Sequence, residues 1–130
     1  MRAVTVLAAI ALVAASCGES GSSESSKPTD RFPDVVDVEV EETAEGVYTF
    51  DVTISSPYDS PQRYADAWRV KDEDGTVYGV RELLHDHAGE QPFTRSLSGV
   101  EIPSGVESVI IEGRDLENGW GGETAKVLLP

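Results

Sequence analysis

Residues 48–55, Tyr-Thr-Phe-Asp-Val-Thr-Ile-Ser, alternate large apolar side chains with short polar ones at a period of two. Successive side chains on a β-strand point to opposite faces. The pattern therefore puts Tyr48, Phe50, Val52 and Ile54 on a dry face and Thr49, Asp51, Thr53 and Ser55 in water. Upstream, Val36, Val38 and Val40 alternate in the same way with Asp37, Glu39 and Glu41, and Gly46 marks the turn between the two runs. Downstream, Pro57 and Pro61 in Ser56-Pro57-Tyr58-Asp59-Ser60-Pro61 stop the ladder, because proline has no backbone N–H to donate.

The same signals recur along the rest of the chain. Tyr64 to Val70 reads as a third strand with Trp68 inward, and Lys71-Asp72-Glu73-Asp74-Gly75-Thr76 as a hairpin turn into Val77 to Leu84. After the loop His85-Asp86-His87-Ala88-Gly89-Glu90-Gln91-Pro92, three more strands follow at Phe93 to Val100, Val106 to Gly113 and Thr124 to Leu129. They are separated by Ile102-Pro103-Ser104-Gly105 and by the glycine-rich Asn118-Gly119-Trp120-Gly121-Gly122. Seven short strands without an amphipathic helix predict an all-β domain over 32–130, a seven-stranded antiparallel sandwich of two sheets, with a small closed barrel as the alternative. With Trp68 inward on its third strand, the domain resembles the immunoglobulin-like sandwiches, without their disulfide.

The N-terminus has a different character. Arg2 precedes the apolar run Ala3 to Ala15, too short to span a bilayer comfortably, and the run closes on Ala14-Ala15-Ser16-Cys17. In these residues the chain resembles the bacterial lipoproteins, whose lipobox places small residues before the cysteine that is lipidated and becomes residue one. The resemblance implies a signal peptide over 1–16, lipidation of Cys17 and anchoring of the exported domain to the cell membrane or an outer membrane. Gly18 follows Cys17, and in that family an aspartate there favours inner-membrane retention, so an outer-membrane destination is allowed. Residues 17–31, rich in Ser, Gly and Glu, read as a disordered tether with a mean reach of about 20 Å.

Charge narrows the function classes. The chain has 10 basic and 24 acidic residues and a formal net charge of −14. Such a surface repels nucleic acid and attracts cations or basic partners, so no nucleic-acid role is expected. Cys17 is the only cysteine and is taken up by the lipid, so the folded domain is expected to lack disulfides and thiol chemistry.

Two places carry candidate function. Both histidines lie in one loop, where His85 and His87, two residues apart, can converge on a divalent ion with Glu90 or Asp86 as an oxygen donor. Nitrogen and oxygen ligands suit zinc, nickel or copper(II). Trp120, flanked by glycines, is the candidate partner contact, able to stack on a glycan or on another protein. Hydrolase chemistry through Ser96 or Ser98 with a histidine base has no supporting motif. Asp72, Glu73 and Asp74 fit a hairpin better than a calcium loop, and Arg81, Arg95 and Arg114 are expected to pair with carboxylates. The expected function is a non-catalytic interaction module of the cell envelope, with no certain cofactor; metal binding or delivery through the histidine loop is the alternative.

Overall fold

The computed structural model describes residues 31–130; the expected signal peptide, the expected lipidation site Cys17 and the expected tether up to residue 30 lie outside them. Seven strands form: β1 (Asp34–Ala44), β2 (Val47–Ser55), β3 (Ala65–Lys71), β4 (Val77–Glu82), β5 (Phe93–Glu101), β6 (Ser108–Asp115) and β7 (Gly119–Leu128). They make two antiparallel sheets, β1-β2-β5 and β4-β3-β6-β7. Among the described residues no ladder joins β4 to β5 or β1 to β7, so the molecule is a sandwich rather than a closed barrel.

Alternation along the strands builds the core. Tyr48, Phe50, Val52 and Ile54 of β2 face Trp68 and Val70 of β3 and Val109 and Ile111 of β6, and all eight are buried. Each such side chain contributes about 1.5–3 kcal/mol when fully withdrawn from water. Trp68 has no exposed surface.

Two elements depart from the sequence pattern. Val36 was expected on the dry face with Val38 and Val40, yet it is 54% exposed while Val35 is buried. The register between β1 and β2 shifts between Val35 and Asp37, and this bulge turns Val36 outward. The last strand begins at Gly119 rather than Thr124, so Trp120 lies on β7, opposite Arg114 of β6, and not in a loop.

Chain direction sorts the connections into two ends. At one end lie residues 31–33, the loops 56–64 and 83–92 and the turn 116–118; at the other lie 45–46, 72–76, 102–107 and the C-terminus. The histidine loop is therefore at the end where the chain enters the sandwich from residue 30. The turn at 72–76 is the expected hairpin. Asp72 Oδ1 accepts the N–H groups of Asp74 and Thr76, and Asp72 Oδ2 accepts the Tyr78 hydroxyl at 2.7 Å, which commits this carboxylate to the turn.

Candidate functional site

β4 and β5 are the edge strands of the two sheets on one flank, where Leu97 and Val100 of β5 crowd Gly79 of β4. Arg81 lies two residues beyond Gly79, opposite the buried Trp68, and so points inward. Arg95 shares a face with Phe93, because the intervening Thr94 turns outward to meet the Thr53 hydroxyl at 2.7 Å. The two guanidinium groups thus enter the same flank from opposite sheets. With Leu83, Leu84, His85 and His87 they line a cavity of about 150 Å³.

The loop 83–92 closes this cavity and is held at several points. Asp59 in the loop 56–64 accepts the Ala65 N–H through Oδ1 and the His87 N–H through Oδ2, at 3.1 and 2.9 Å. Gln91 accepts the Ser56 N–H at 2.7 Å and donates to the His87 carbonyl at 3.0 Å. His87 stacks flat on Phe93 with ring centroids 3.9 Å apart, and the His85 ring lies 4.9 Å from it. Burial of His87 comes from this stacking, whereas His85 is exposed.

The third expected ligand is engaged elsewhere. The Glu90 carboxylate pairs with Arg95 at 3.2 Å. Among the described residues no group of three or more His, Cys, Asp or Glu side chains is arranged to hold a metal ion. Ser96 hydrogen-bonds to the Asp51 carboxylate on the outer face of the three-stranded sheet. Of the three arginines expected to find carboxylates, Arg114 meets Asp66 at 2.7 Å and Arg95 meets Glu90. Arg81 does not follow: its Nη1 donates to the Glu82 carbonyl, and its buried Nε has no hydrogen-bond partner among the described residues. Strand geometry explains the difference, since the inward face it shares with Trp68 is apolar.

Burial holds the His87 imidazole below its usual pKa; Arg95 and His85 add to this, and Asp59 and Glu90 oppose it. Between the ordinary histidine value near 6.5 and the lower folded value, the unfolded chain takes up a proton that the folded chain refuses. The resulting stability is fully present above about pH 6.5 and is lost as the pH falls through the folded pKa. Urea midpoints measured from pH 7.5 to 5 are expected to fall more steeply for the native chain than for His87→Gln; parallel slopes would contradict this.

Trp120 occupies a second site, on the outer face of the four-stranded sheet. The Arg69 guanidinium lies 4.0 Å from the indole ring and that of Arg114 lies 5.2 Å away. Each arginine is fixed by an acid on the same face, Arg69 by Glu112 at 2.7 Å and Arg114 by Asp66. Glu112 also holds Lys71 at 3.1 Å. The cations Arg69, Lys71, Arg114 and Lys126 thus gather on this sheet, while the other sheet's outer face presents Asp37, Glu39 and Asp51. The glycines beside Trp120 serve the N-terminal segment. A Cβ on Gly121 would stand 2.6 Å from the Phe32 ring, and one on Gly122 would overlap the Pro33 carbonyl.

Over 114 residues, 85% of its length, the chain is 37% identical to a Halomicrobium mukohataei protein named "Putative lipoprotein". The two are homologues. The present chain spans 56% of that relative's length. No family model matches the chain, and no solved structure matches it. The matched length exceeds that of residues 31–130, so the likeness is not confined to the short N-terminal motif.

Reading the sequence alone missed three features of these sites: the Arg81–Arg95 convergence, the arginine clamp on Trp120 and the acceptor role of Asp59. The first two join residues on different strands, and only sheet order brings them together. An aspartate two residues after Pro57 is a turn signal that could have drawn attention to Asp59.

Proposed function

We propose that this chain is a membrane-anchored, extracytoplasmic lipoprotein whose immunoglobulin-like sandwich binds another envelope component and catalyses no reaction. The lipobox ending at Cys17 and the name borne by the homologue support the anchoring. The strand order β1-β2-β5 over β4-β3-β6-β7 supports the immunoglobulin-like reading.

The observation that carries the binding role is Trp120 clamped by Arg69 and Arg114 on an open sheet face. A large aromatic held by two guanidinium groups loses little side-chain freedom when a partner covers it, and tryptophan and arginine dominate binding hot spots. The exposed Val80 extends this face, since it lies opposite Arg69 on β4.

The test is a photo-cross-linking residue placed at Ile110, on the same outer face, and in a separate variant at Thr53, on the acidic sheet. Intact cells are expected to yield a discrete adduct from position 110 only, reduced about fivefold or more by Trp120→Ala, as for a hot-spot side chain. Equal adducts from both faces, or an adduct indifferent to Trp120→Ala, would remove the proposal.

A further inference from the structure

The flank cavity between β4 and β5 gathers two arginines and two histidines. Arg81 meets no carboxylate within ion-pair distance among the described residues, and its Nε is enclosed without a hydrogen-bond partner. His87 lines the same cavity, is 6% exposed, and has its Nδ1 enclosed without a partner. Buried polar groups in folded proteins are nearly always satisfied, so two such atoms on one small cavity call for a ligand or solvent. From the facing strand, Arg95 adds a second guanidinium, whose Nη2 meets the Glu90 carboxylate, itself more than half exposed, and whose Nη1 donates to the Thr94 carbonyl.

Acidic side chains of the described residues do not fill this space. Glu82 contributes to the lining, but on a strand its side chain points away from that of Arg81. It lies on the opposite face, where its charge acts on Arg114. Among the described residues the carboxylates nearest these groups are committed elsewhere, Glu90 to Arg95 and Asp59 to the Ala65 and His87 N–H groups.

We propose that the cavity lined by Arg81, Arg95, His85 and His87 binds a small oxyanion, a phosphate or carboxylate group. Guanidinium groups arriving from two sheets supply charge-assisted donors from opposite sides, and a ring N–H of either histidine supplies another. Leu83 and Leu84 provide apolar walls that strengthen these bonds by excluding water. About 150 Å³ accommodates several water molecules or one such group, and not a large ligand. The site is separate from the Trp120 face and stands whether or not that face binds a partner.

The full-length chain in neutral detergent is titrated with inorganic phosphate at constant ionic strength and pH 7, following the ring C–H signals of the two histidines. Saturable shifts are expected, with affinity reduced roughly tenfold or more in Arg81→Gln and by less in Arg81→Lys, which keeps the charge but not the Nε–H. Tryptophan emission of each variant, reporting the buried Trp68, verifies that the sandwich is intact; Arg95→Gln, with the same expected loss, serves if Arg81→Gln is not folded. Unsaturable shifts, or equal affinity in the native chain and the folded glutamine variant, would overturn the site. Vesicles of anionic phospholipid, compared at equal phosphate concentration, distinguish the sources. Saturation by free phosphate alone assigns a soluble oxyanion, and Arg81-dependent shifts with vesicles assign a lipid headgroup.

Discussion

Asp115→Ala is expected to remove about 3–5 kcal/mol of stability, a large share of what a domain of this size possesses. Asp115 ends β6 on its inward face with a side chain that has no exposed surface. Its Oδ2 accepts the backbone N–H groups of Glu117 and Asn118 at 2.9 and 2.8 Å and the Asn118 side-chain amide at 3.1 Å. Arg63 Nε reaches its two oxygens at 3.1 and 3.2 Å, and the same guanidinium lies 4.1 Å from the Tyr58 ring centre. One carboxylate therefore closes the β6–β7 turn and ties it to the loop 56–64. Alanine would leave several donors without their acceptor at once. The lower part of the range is favoured, because Arg63 is a quarter exposed and water can replace part of what it loses.

Burial opposes ionisation of Asp115, yet the donors that reach it, the Asn118 N–H, Arg63 and the Glu117 N–H, help hold the carboxyl below its ordinary value. The stability it supplies is present above about pH 4 and is lost as the pH falls through the lower folded pKa. Urea unfolding at pH 7 of the native chain, Asp115→Asn and Asp115→Ala measures the effect. Asparagine keeps an acceptor oxygen and is expected to lose less than alanine. A cost below about 1 kcal/mol for alanine would show that the turn and the loop are held by other contacts.

Asp115 also shows where the sequence stops being informative. The alternation in β2 and the inward Trp68 were readable because burial of apolar side chains repeats with strand geometry, and the two-sheet architecture followed from it. A buried carboxylate leaves no such trace. In the sequence Asp115 is one acid among 24, and its inward position depends on β6 running two residues past Gly113, where Val106 to Gly113 had been expected to end. Val36 escaped for a related reason, since a bulge shifts the face of a strand without changing the pattern of residue types. His85 and His87 were singled out as a pair, and their rings lie 4.9 Å apart. What surrounds them depends on Asp59, Phe93 and Arg95, which loop closure brings in from other elements. Similarly, Trp120 was legible as a residue of interest but not as a strand residue, because glycines at 119, 121 and 122 depress strand propensity.

Those glycines lead to the second large effect. Gly122→Ala is expected to cost about 2–5 kcal/mol, from two sources that a control can separate. Gly122 has φ +89°, where a side chain costs about 1–2 kcal/mol. In addition its Cβ would overlap the Pro33 carbonyl oxygen and lie 3.1 Å from Phe32 Cβ, and overpacking of this kind adds about 1–3 kcal/mol. Gly119, at φ +86°, has nothing within 4 Å of the corresponding position, so Gly119→Ala is expected to show the conformational cost alone. The difference between the two variants in urea unfolding thus measures the docking of residues 32–33 onto β7. Equal costs would mean that Phe32 and Pro33 yield without penalty. Such yielding is difficult for this backbone. Pro33 is buried and also meets Gly113 of β6, and the adjoining Asp34 carboxylate accepts the Glu123 N–H at 2.8 Å. If the chain is anchored at Cys17, the segment pinned here is where the tether becomes sandwich. The two glycines that admit it, Gly121 and Gly122, follow Trp120 on the same strand, so the contacts that hold the entry segment lie beside the face proposed to bind a partner.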